Sequence, residues 1–98
     1  MSANELTPMN QQEVKAYLVW NKGSQTITKI VNVAKTATAE QKAQLVAHAK
    51  NQMDAAQKAY DDEVKFRPSY APGPTRSEDG KKALLKDAID FYRFCLSI

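Results

Sequence analysis

The chain has 98 residues, 43% hydrophobic and 26% charged, with a formal net charge of +3. That length gives one domain over residues 1–98 with one core, too small for a deep catalytic cleft and too apolar for a disordered chain. The positive excess is spread out: +2 over residues 1–38, −1 over 39–66, +2 over 67–76 and 0 over 77–98. A dispersed excess argues against a dedicated phosphate-binding face.

Thr7-Pro8 reads as an N-cap with proline at the first helical position, so a first helix is expected from about residue 8 to Asn21. Asn10 with Glu13 is an alternative capping pair, and Gly23 is the expected left-handed stop. The apolar residues of this segment, Val14, Ala16, Tyr17, Leu18, Val19 and Trp20, nearly encircle a helix, and they alternate acceptably as a strand. Residues 24–35 repeat the ambiguity. Ile27, Ile30, Val31 and Ala34 fall on one helical face, while the β-branched content allows a hairpin over about 14–33. The cap before residue 8 decides for helices, and the hairpin remains as the α+β alternative.

Thr38 and Gln41 form a capping box that opens the best helical pattern of the chain. Ala43, Val46, Ala49, Met53, Ala56, Tyr60 and Val64 step by three or four along one stripe, so a long helix is expected to about Phe66. Lys50, Asp54, Lys58, Asp61, Asp62 and Lys65 are spaced for opposite-charge pairs on the other faces.

Residues 67–76, RPSYAPGPTR, hold three of the four prolines and no acid. Proline has no amide donor and disfavours a helical residue before it, so this segment is a hinge between two helices. Thr75 with Glu78, or Ser77 followed by two acids, caps a last helix. On it Leu84, Ala88, Phe91 and Cys95 make one stripe and Leu85, Ile89, Tyr92 and Leu96 a second. A stripe this wide implies burial on two sides, or one side kept for a partner. The fold expected is therefore all-α, a small irregular bundle of about four helices with a long third helix and a Pro-rich hinge before the last.

Chemistry is sparsely provided. One cysteine, Cys95, and one histidine, His48, cannot build a zinc site, and no Glu-x-x-His pair suggests a carboxylate-bridged centre, so no metal and no cofactor is expected. Three isolated glycines make neither a phosphate loop nor a nucleophile elbow. Asp87 and Asp90 could be an acid–base pair, but Lys86 and Arg93 are close enough to explain them as ion pairs. We read no catalysis here. A lone cysteine points to a reducing compartment, and the opening MSANELTPMNQQE lacks the basic and apolar regions of a signal peptide. No apolar run approaches the roughly 18 to 20 residues of a membrane span, so a cytoplasmic protein is expected.

The function expected is protein–protein binding, by self-association or as an inhibitor or adaptor. Phe91, Tyr92, Leu96 and Ile98 are its candidate partner-binding anchors, and Arg67, Tyr70 and Arg76 of the hinge a polar rim. The alternative is nucleic acid or another anionic ligand. Residues 26–47 outline a helix-turn-helix, with Lys35, Gln41, Lys42 and Gln44 as its contacts. The aromatic and guanidinium groups of residues 66–76 could also stack on a base or clamp an anion.

Overall fold

The computed structural model describes residues 7–98, so the first six residues of the stretch read for a leader lie outside the described residues. It is all-α. Four helices, α1 (Gln11–Trp20), α2 (Gln25–Thr36), α3 (Ala39–Lys65) and α4 (Arg76–Ser97), are present among the described residues, with no strand. The hairpin alternative for 14–33 is overturned: both segments are helical, because each begins at a side chain that satisfies a free amide of its first turn.

Those caps set every boundary. Asn10, not Thr7, caps α1: its Oδ1 accepts from the Glu13 amide at 2.8 Å while the Glu13 carboxylate accepts from the Asn10 amide. The Ser24 hydroxyl caps α2 by accepting from the Ile27 amide, and capping boxes at Thr38/Gln41 and Thr75/Glu78 open α3 and α4. Gly23 is no left-handed stop, since no glycine among the described residues has a positive φ. Instead α1 ends on Asn21, whose backbone and side-chain amides both donate to the Tyr17 carbonyl.

The body of the protein is the α3–α4 hairpin. At about 1.5 Å per residue the 27-residue α3 is about 40 Å long, and the hinge folds α4 back along it. Ala49 and Met53 of α3 and Leu85 and Cys95 of α4 are buried. Only the centre of the long stripe is closed over: Val46, Ala56 and Tyr60 are half-buried, and Ala43 and Val64 are exposed. Alanine at the contact lets two backbones approach closely at the cost of a thin core. Of the opposite-charge pairs expected along α3, none closes to ion-pair distance among the described residues. Asp61 takes a hydrogen bond from Gln57 instead. Exposed lysines and aspartates gain too little from pairing to fix long side chains.

The two short helices cover one end. α1 lies on the back of α4, where the Tyr17 and Phe94 rings sit 4.7 Å apart between centroids and Phe94 is fully buried. Arg93 ties that end down by donating to the Thr7 carbonyl and to Glu13, at 3.0 Å in the ion pair. It does not pair with Asp90, as the sequence suggested. α2 buries only Ile27 and α1 buries no residue fully, so both are held loosely against the α3–α4 pair.

Candidate functional site

At the hinge, Arg67 and Glu78 bridge the end of α3 and the start of α4. Arg67 donates from Nε to one Glu78 oxygen at 2.8 Å and from Nη2 to the other, which is the two-pronged geometry guanidinium makes with carboxylate. The same carboxylate accepts from the Thr75 amide at 2.9 Å, so Glu78 caps α4 and latches α3 with one group. Its side chain is buried, and the hydrogen bonds from Arg67, more than any other cause, hold its carboxyl down at about 2. Arg67 is raised in turn by the same bond.

This arrangement consumes the guanidinium that the sequence offered to a ligand. Tyr70 is 88% exposed and Arg76 is exposed at the start of α4. The hinge is thus a closed latch with an open tyrosine, and Tyr70 does not pack beneath the loop.

The helix-turn-helix segment is joined by two residues, Ala37 and Thr38. Lys35, Gln41 and Gln44 are exposed and Lys42 is half-buried. Gln41 spends its side-chain oxygen on the Thr38 amide at 3.0 Å, which takes it out of any base-reading set. Between α2 and α3 runs an apolar cleft of about 160 Å³, walled by Ile30, Val33, Ala34 and Leu45.

On α4, Phe91, Tyr92, Leu96 and Ile98 are all half-buried. Tyr92 and Leu96 continue the stripe of the buried Leu85 at seven and eleven residues' spacing and belong to the α3 side of the helix. Phe91 differs. It lines two grooves, one with Ile27, Leu45 and His48, the other with Tyr17 and Trp20 of α1. Trp20, on the second of these grooves, is 89% exposed; Leu84, seven residues before Phe91 on the same face of α4, is 58% exposed, and Val19 at the end of α1 is 76% exposed.

Spacing assigned Trp20, Val19 and Leu84 to helix packing and not to a binding surface. The signal was present, because a ten-residue helix ringed by six apolar side chains cannot bury them all against one neighbour. Cys95 is free and buried, and burial pushes its thiol up to about 11, far from the nucleophilic range. Burial also raises the Tyr17 hydroxyl, with Cys95, Asp90 and Asp87 adding negative charge nearby. Among the described residues no cluster of three His, Cys, Asp or Glu is placed to hold a metal ion. No helix among them is long and apolar enough to cross a membrane. No protein-family model, curated protein or solved structure matches the chain.

Proposed function

We propose that the chain is a non-catalytic helical module that works by binding protein, as a self-associating subunit, an inhibitor or an adaptor. The observation that carries this reading is the apolar surface the four helices leave bare on α1 and α4, with Trp20 89% and Leu84 58% exposed. Apolar groups of this size in water are retained where a partner covers them. Phe91 is the anchor of the four α4 candidates that opens on this surface. Tyr92, Leu96 and Ile98 contribute the edges that α3 leaves uncovered, and Tyr70 and Arg76 supply an outlying polar rim. The single buried thiol fits work in a reducing compartment, the cytoplasm.

Leu84 provides the test, since it is exposed and its loss leaves the core intact. Immobilised wild-type chain should retain protein from a nuclease-treated extract at both low and high ionic strength, and Leu84→Asp should lose that protein. Retention that disappears with nuclease or with salt would move the assignment to nucleic acid, through Lys35, Lys42 and Gln44, because phosphate contacts weaken steeply as ions compete.

A further inference from the structure

Where the four helices meet lies a groove of about 480 Å³, with Ile27, Ile30, Leu45 and Phe91 as its apolar part. Among the described residues its lining has no Asp, Glu, Lys or Arg. The neighbouring grooves differ: Lys86, Asp87 and Asp90 line the one between α1 and α4, and Lys29 and Lys42 the cleft between α2 and α3. A charged group entering the neutral groove would shed its hydration and meet no opposite charge, so the lining selects an uncharged occupant.

The polar rim is fixed by the turn that joins α1 to α2. The Ser24 amide donates to the Asn21 carbonyl at 2.9 Å, which holds the two residues side by side. Asn21 donates from Nδ2 to the Tyr17 carbonyl at 2.9 Å, leaving its Oδ1 as an acceptor. The Ser24 hydroxyl accepts from the Ile27 amide, leaving its own hydrogen as a donor. Each group is oriented by a bond to helix backbone, so an acceptor and a donor are held in place before any ligand arrives.

We propose that this groove binds a small, uncharged heteroaromatic molecule whose edge carries a donor beside an acceptor, as a lactam or an aminopyrimidine does. The flat ring lies against Phe91, Ile27 and Leu45, its N–H bonds to Asn21 Oδ1, and its acceptor takes the Ser24 hydroxyl. The volume falls within the roughly 300–1,000 Å³ of small-molecule sites, and an apolar lining with a few fixed polar groups is their usual composition. The site is separate from the protein-binding surface, since neither Trp20 nor Leu84 lines it.

Quinolin-2-one, a neutral bicyclic lactam, is the probe, and the chain's one histidine, His48, which lines the groove, is the reporter. In two-dimensional NMR of the full chain, millimolar quinolin-2-one should shift the His48 imidazole and the Asn21 side-chain amide saturably, and equally at low and high salt. N-methylquinolin-2-one has lost the donor and should bind at least about fivefold more weakly, because it leaves an acceptor unpaired. Ser24→Asp keeps a helix cap but puts a charge where the donor stood, and Thr26→Trp fills the groove from an exposed position. Both variants should keep the helical circular dichroism and lose the shifts, while Leu84→Asp should bind like the wild type. Absence of a saturable shift at His48 and Asn21 overturns the inference, and so does binding that survives either groove variant or is lost in Leu84→Asp. Equal affinity for the two probes would overturn the donor–acceptor edge assigned to the ligand.

Discussion

Gly80 sits in the second turn of α4, helical, exposed and with open space where a Cβ would project. No glycine among the described residues has a positive φ, so glycine's conformational freedom is not used there and only its entropic cost remains. Gly80→Ala should therefore stabilise the protein by about 0.5–1 kcal/mol, read as a higher midpoint in urea unfolding. Glu78, two residues earlier, makes the opposite kind of contribution. Its carboxyl is held at about 2 in the folded chain against 4.5 ordinarily, so the folded state favours the charged form. The stabilisation is present above pH 4.5 and is lost as the pH falls toward 2. Unfolding of the wild type and of Glu78→Gln, compared at each pH, should differ by a constant amount above that window and converge within it. A difference that stays constant down to the acid end would show that the Arg67–Glu78 latch carries no net charge-dependent energy.

The elements were legible where the signal was local. Both capping boxes, the Asn10–Glu13 pair and the proline-broken hinge lie within a few residues of the boundaries they set, and the structure uses each of them. What spacing does not encode is which helix covers which face. Phe94 lies opposite the α3-facing stripe of α4 and would be bare on a two-helix hairpin, yet Tyr17 of α1 buries it. Leu84 reads as core by its spacing and is exposed, because no helix among the described residues lies over it. Arg67 and Glu78 are eleven residues apart across the hinge, and their meeting depends on how the loop closes. Gln41 was legible twice, as a cap and as a base reader, and the cap took the side chain. α2 has a well-formed apolar face but buries only Ile27. Its amides should exchange with solvent at least about tenfold faster than those around Met53 and Leu85, because an element that buries little apolar surface opens at little cost. Hydrogen exchange resolved by residue checks this, and equal protection across α2 and α3 would show that α2 is held by more than Ile27.

The whole molecule is long for its mass. Its extents are 53 × 26 × 22 Å and its radius of gyration is 15.6 Å, against about 13 Å for a compact chain of this length. The cause is the mismatch between a long α3–α4 hairpin and two short helices that reach only one end of it. A bundle so incompletely closed owes little stability to its own burial, and a ligand seated where the four helices meet would couple folding to binding. Mass action then makes the melting temperature depend on ligand concentration. At a tenfold excess over the dissociation constant, binding contributes about 1.4 kcal/mol. In a domain of this size that raises the midpoint by on the order of 5 °C relative to the free chain. Thr26→Trp changes an exposed side chain and should alter the ligand-free midpoint by no more than a surface substitution does, within about 0.5 kcal/mol. Its midpoint should then stay flat as quinolin-2-one is added, while that of the wild type climbs. Parallel curves for the two proteins, both flat or both rising, would show that no ligand held in that groove ties the elongated bundle together.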